Sequence, residues 1–353
     1  MVDSAILKVD PLGFPWRTHD PFLFCTHHED AYPRGNAQLG PDASLEGRHL
    51  GQDFAGLNGW RMYHGRTVPG FPAHPHRGFE TVTIMRSGFI DHADSLGAAA
   101  RFGRGDVQWL TAGSGVVHSE MFPLLQSQQP NPLELFQIWL NLPSRSKMAP
   151  PYFTMLWSEN IPRSVIGSGG GSLEVSFIAG PPDGIAIARP QPPPPDSWAS
   201  DPTAGLAIWT LNLSPGARWS LPAATRGRVR RTLYFFKGEG LMIQGQSVPA
   251  RSAVEVDAGT DVTLQSGAAA CELLMLQGRP IGEPVAQHGP FVMNTEQQLR
   301  QAYADFHRTH FGGWPWPDEA PVHGSERGRF ARHADGRMES PTVNGTTTHA
   351  RSL

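Results

Sequence analysis

The chain has 353 residues, with Lys+Arg 29 against Asp+Glu 32, 39 Gly and 33 Pro. Its length suggests two domains, and near-neutral charge excludes a nucleic-acid footprint spread over the whole surface. Two isolated cysteines, Cys25 and Cys271, exclude a thiolate metal cluster and suit a reducing cytosol at least as well as one disulfide.

The N-terminus MVDSAILKVD lacks an apolar core of signal-peptide length, and no apolar run is long enough to span a bilayer. The expectation is therefore a cytoplasmic protein. Only Lys8, Lys147 and Lys237 are lysines, a bias towards Arg that carries no functional message.

From about residue 50 to residue 142 the pattern is short and β-like. FETVTIM (79–85), DVQWLT (106–111) and LELFQIWLNL (133–142) are rich in β-branched and aromatic residues, with Gly, Pro, Asp and Asn between them. Many short strands at close spacing predict a sandwich or barrel. GSGGGS at 167–172 reads as flexible, and LEVSFIA (173–179) as a short strand. RPQPPPPDSW (189–198) reads either as a stiff, extended linker or as a surface loop.

A second β-rich unit holds LAIWTLNL (206–213), RTLYFFKGEG (231–240), AVEVDAG (253–259) and CELLMLQG (271–278). The fold class expected is thus all-β, two tandem antiparallel β-barrels. One short C-terminal helix follows. Thr295 is its cap and Gln298 the partner in a capping box. Leu299, Ala302, Tyr303 and Phe306 make one apolar stripe at i, i+3, i+4 and i+7, suited to packing on a barrel. Beyond Gly313 the polar, Arg- and Gly-rich tail is expected to be poorly ordered. In chain order the division is a first domain over 15–165, a strand and linker over 166–204, a second domain over 205–315 and a flexible tail over 316–353.

Two histidine-bearing pairs carry chemistry. His74 and His76 are two apart, as are His118 and Glu120, and in a strand residues two apart share a face. Two such strands brought together offer three nitrogens and one carboxylate. That set suits a single divalent iron, nickel, copper, manganese or zinc ion and leaves positions open for catalysis. Gly70 precedes the first pair, and Gly113 and Gly115 the second, where tight turns and close backbone approach are needed. Pro75 donates no amide hydrogen, so its strand should begin there or lie at an edge. Either pair alone is a weak signal; both with matched parity are strong. No histidine occurs between His118 and His288, so the second β unit has none for a metal.

At these residues the chain resembles the pirins, a branch of the cupin superfamily. HPHRGFETVT (74–83), GDVQWLTAGSGVVHSEM (105–121) and GEPVAQHGPFVMNTEQQLRQA (282–302) match the family's signatures, and FLFCTHHEDAYP (22–33) resembles the start of bacterial members. The resemblance spans most of residues 15–315. It implies a bicupin of two RmlC-like jelly-roll barrels with metal, usually Fe(II), only in the N-terminal one. The family's ligands fall on His74, His76, His118 and Glu120. The wider cupin pattern would instead use Glu80, which ranks second. This chain also departs from the general second cupin motif, which expects proline where it has Gly113.

The resemblance further implies quercetin 2,3-dioxygenase-like activity, in which a flavonol ring is opened by O2 with release of CO. Glu120 would take the proton of the substrate hydroxyl. Phe79, Trp109 and Phe136 are candidates to cover the flat substrate, and each reads equally well as core. Arg77, Asp91 and His92 could orient the ligands or be solvated turn residues. The alternative is a regulator that contacts an enzyme or a transcription factor, its metal a redox sensor. The expected state is a monomer without membrane or direct nucleic-acid partners.

Overall fold

The computed structural model describes residues 5–168, 170–181, 190–225 and 227–341. The architecture is almost entirely antiparallel sheet, with one α-helix, Glu296–Thr309, among the described residues. Two compact units divide it. One comprises residues 1–25 and 160–282, the other residues 26–159 and 283–353. The chain-order division at 165 and 205 is therefore crossed at both ends.

In the unit of residues 160–282, a seven-stranded sheet includes Arg163–Ser168, Gly171–Ala179, Ala207–Leu213, Arg230–Gly238 and Cys271–Gly278. A four-stranded sheet accompanies it. Alternation along the strands turns Trp209, Leu211, Leu233, Phe235, Leu273 and Met275 into one apolar cluster. The N-terminal strand Ile6–Pro11 pairs with Ser252–Val256 and so joins this unit. Arg163–Ser168 and Gly171–Ala179 pair down to Ser168 opposite Gly171, so these residues of the glycine tract lie in paired strands where a flexible segment was expected, and Gly169 lies outside the described residues. Residues 190–198 of the proline-rich stretch have no strand, and Arg189 lies outside the described residues. Cys25 and Cys271 are both buried.

In the other unit, a five-stranded sheet contains Phe22–Tyr32, Phe79–Ser87, Val107–Thr111, Asn131–Asn141 and Tyr152–Leu156. A six-stranded sheet contains Gly70–His76, Phe89–Asp94, Ala99–Gly103 and Val116–Met121. Met85, Ile90, Phe102, Leu110, Leu135 and Phe153 form the core of this unit. Phe79–Ser87 is buried along most of both faces, which is why its sequence reads as a nearly unbroken apolar run.

Thr295 caps the helix and the capping box with Gln298 is complete. Leu299 and Ala302 are buried, and Tyr303 and Phe306 pack beside them on Val117, Phe291 and Met293. The helix thus packs on the unit that carries His118. The tail also departs from expectation as far as it is described: Phe330–Arg332 pairs with Ala99–Gly103, and Phe330 and Ala331 are buried. Its apolar residues are few, but a strand edge supplies the partners that a polar segment cannot supply for itself. Residues 342–353 lie outside the described residues. No helix among the described residues is long and apolar enough to cross a membrane.

Candidate metal centre

Gly70–His76 is the edge strand of the six-stranded sheet, as the missing amide hydrogen of Pro75 requires. It runs antiparallel to Val116–Met121, with His74 opposite His118 and Phe71 opposite Glu120, and a bulge between Phe71 and His74. Gly70 has φ 131°, and a Cβ there would stand 2.4 Å from the Glu120 carbonyl oxygen. Only glycine lets the two backbones meet this closely.

Period-two geometry puts His74 and His76 on one face, and the register adds His118 to it. The ring centroids lie 4.5 Å apart for His74 and His118, 4.8 Å for His74 and His76, and 4.9 Å for His76 and His118. One nitrogen from each ring falls within 4.8 Å of the other two, close enough for the three to hold one metal ion.

The protonation states suit that role. His74 Nδ1 lies 2.8 Å from the Pro72 carbonyl oxygen, which can only accept. Nδ1 therefore carries the hydrogen and Nε2 keeps its lone pair, the usual way an outer partner fixes the tautomer of a ligand. Burial lowers the pKa of His74 to about 4. Burial, then the neighbouring imidazoles, hold His76 and His118 well below the ordinary range. Three neutral rings at one point are three donors. Neither ring nitrogen of the fully buried His118 has a hydrogen-bond partner among the described residues. Orphaned polar atoms of this kind are costly in an apolar interior, and a coordinated ion would satisfy one of them.

Glu120 stands beside the trio. Its Oε2 is 4.0 Å from His118 Nε2 and accepts from Gln137 Nε2 at 2.7 Å, while Oε1 accepts from Thr83 at 3.4 Å. Burial raises its pKa against the pull of His92, Gln137 and Thr83. Glu80 is directed elsewhere. It alternates with Thr81 and Thr83, so it lies on the opposite face from Thr83, and it accepts from Thr111 at 2.7 Å. The turn at Gly78, φ 86°, breaks any parity carried over from His76.

Of the aromatic candidates, Phe79 lies 5.0 Å from His76, ring to ring. Trp109 pairs with Val82 and Phe136 with Ile84, on the sheet face away from Thr83, so neither covers the imidazoles. The ring missed in the sequence is Trp139, 5.2 Å from His76 and stacked on Phe79 at 4.0 Å. Gln137 was missed too. Both sit in a strand apolar on both faces, where only its register shows which residues turn inward.

Arg77 donates to Ser114 and Asp305, and Asp91 binds Arg101, so neither orients a ligand. His92 lies opposite Glu120 in the ladder, its ring 5.5 Å from His118. A small cavity of ≈ 10 Å³ adjoins Glu120, lined also by His28, Phe71, Phe122 and Gln137.

Residues 12–140 match the Pirin family model and residues 208–312 that of the Pirin C-terminal cupin domain. A pirin-like protein of Caulobacter vibrioides is 35% identical over 246 residues, 69% of this chain and 80% of its own. The chain belongs to the pirin family. A Pseudomonas aeruginosa protein provisionally named quercetin 2,3-dioxygenase is 36% identical to this pirin over 252 residues, 69% of this chain and 79% of its own. The crystal structure of quercetin 2,3-dioxygenase from Acinetobacter baumannii resembles this pirin with a TM-score of 0.66 at 25% identity. The match covers 87% of this chain and 98% of that one.

Proposed function

We propose that this pirin is a metal-dependent dioxygenase that opens a flavonol such as quercetin with O2 and releases CO. The observation that carries the reading is the convergence of three neutral imidazoles, His74, His76 and His118, on one point beside a buried carboxyl. The names of the Pseudomonas and Acinetobacter proteins support the substrate class. The proposed ligands are the three histidines, with Glu120 as fourth ligand or as base, and the proposed ion is Fe(II). Nickel, copper, manganese and zinc suit the same donors. The proposal places the protein in the cytoplasm as a monomer.

When bound, such an ion supplies a Lewis acid that acidifies a substrate hydroxyl and a centre for electron exchange with O2. The chain supplies the rest. Glu120 Oε2 takes the hydroxyl proton, because burial has raised its affinity for one. Gln137 and Thr83 aim the carboxyl. Phe79 and Trp139 wall the His76 side with apolar surface, which excludes water and suits a flat ring. Incubation of the iron-loaded protein with quercetin under air tests this. CO should appear as flavonol absorbance falls, and His118→Ala should abolish both.

A second reading starts from the cavity beside Glu120, which at ≈ 10 Å³ admits a water-sized molecule. In that reading the metal is a sensor and the function is contact with a protein partner. An absence of turnover with every first-row metal, together with a partner that co-purifies in stoichiometric amount, would select it.

A further inference from the structure

The unit of residues 160–282 contains a charged cavity of its own. It measures ≈ 450 Å³, within the range of roughly 300–1,000 Å³ typical of small-molecule pockets. Leu206, Trp209, Pro192 and Pro222 supply apolar wall, and Arg231 and Gln277 line it with polar groups.

Arg231 is 2% exposed. Its Nε donates to Gln277 Oε1 at 2.7 Å and Nη1 donates to the Pro222 carbonyl at 2.9 Å. The amide of Gln277 is locked in turn, its Nε2 donating to the Gly205 carbonyl at 2.9 Å. A guanidinium has five N–H donors; among the described residues these bonds use two, and Nη2 and the second hydrogen of Nη1 have no partner. No carboxylate makes an ion pair with Arg231 among the described residues. Asp201 also lines the cavity but is drawn to Arg279, 3.5 Å away. Burying a cation without a counter-ion is costly, and proteins rarely leave one so.

We infer that this cavity binds a small organic carboxylate, its anionic end on the free edge of Arg231 and its apolar body against Trp209, Leu206 and the prolines. A planar carboxylate matches the guanidinium fork with two parallel bonds. Gln277 and Pro222 hold that fork in place before the ligand arrives, which reduces the ordering cost of binding. Burial also lowers the pKa of Arg231 to about 10 against the pull of Asp261 and Asp257, so the cation still persists at neutral pH and gains from an anion. The site is independent of the metal reading and survives its failure.

Titration calorimetry of the full chain with benzoate tests the inference, with neutral benzamide as the shape control. Benzoate should bind one site at millimolar concentration or below, at least about tenfold tighter than benzamide, a difference of roughly 1.4 kcal/mol. Arg231→Met should abolish binding, and Arg231→Lys should weaken it while leaving it measurable. Should Arg231→Met fail to fold, Ala223→Trp fills the cavity from its rim and should abolish binding without touching the arginine. Equal affinity for benzoate and benzamide would overturn the site. So would unchanged binding by either the Met or the Trp variant, or no binding of benzoate, octanoate or phosphate at millimolar concentration.

Discussion

His74 and His118, 44 residues apart in sequence, stand directly opposite one another on adjacent antiparallel strands, their ring centroids 4.5 Å apart. If the pair forms half of a metal centre, His74→Ala and His118→Ala should each weaken metal binding. The loss should exceed the roughly 10–100-fold that follows removal of an outer hydrogen-bond partner. Elemental analysis after dialysis against a buffered metal measures it. A wild-type chain that takes up no first-row metal after reconstitution would sink the centre.

Gln137 holds Glu120 Oε2 at 2.7 Å. Gln137→Leu keeps the volume and removes the donor. Turnover or metal affinity should fall about 10–100-fold, with circular dichroism unchanged. Wild-type values for both would show that the carboxyl needs no such support.

Lys147 is buried, and its ammonium donates to the Gly78 and Val292 carbonyls and to Asn141 Oδ1. Lys147→Met leaves those acceptors unmet, so each should cost about 1–3 kcal/mol, read by urea denaturation. Burial lowers the pKa of Lys147 to about 8 from 10.5. Between those values the unfolded chain binds more protons than the folded one, so this group makes stability rise with pH. The stability difference between wild type and Lys147→Met should therefore grow from pH 8 towards pH 10, and that pH-dependent gain should vanish as pH falls through 8. A difference that is flat or shrinks over that window would contradict the assignment.

Arg101 binds Asp91 through two bonds of 2.7 Å, both side chains fully buried, and also donates to the carbonyls of His323, Gly324 and Arg327. The His323 amide donates back to Asp91. Asp91→Ala strands a buried cation and should cost about 3–5 kcal/mol. Adding Arg101→Met should recover part of the stability. It should not restore protease resistance around residues 320–330, whose carbonyls stay without their donor. Limited proteolysis read by mass spectrometry separates the two effects.

How much of this was legible beforehand follows from the range of the forces involved. The capping box of Thr295 and Gln298 and the stripe through Leu299 and Ala302 are contacts within one helical turn or two, and they could be read directly. So could the shared face of His74 and His76, because strand geometry alternates regardless of partner. The missing amide hydrogen of Pro75 left two places for it, the start of a strand or an edge strand, and it lies in an edge strand.

By itself, then, the sequence determined which imidazoles were available and in what parity, the β character of the chain and the helix capped by Thr295. These depend on backbone geometry over a few residues. Only the tertiary structure decided that His118 lies across from His74, that Gln137 and Trp139 turn inward while Glu80, Trp109 and Phe136 turn away, and that the first strand and the tail change units. It alone showed Arg231 buried with no carboxylate ion-paired to it among the described residues. Register and burial arise from pairings between segments tens to hundreds of residues apart, and strands apolar on both faces leave no alternation from which to read them.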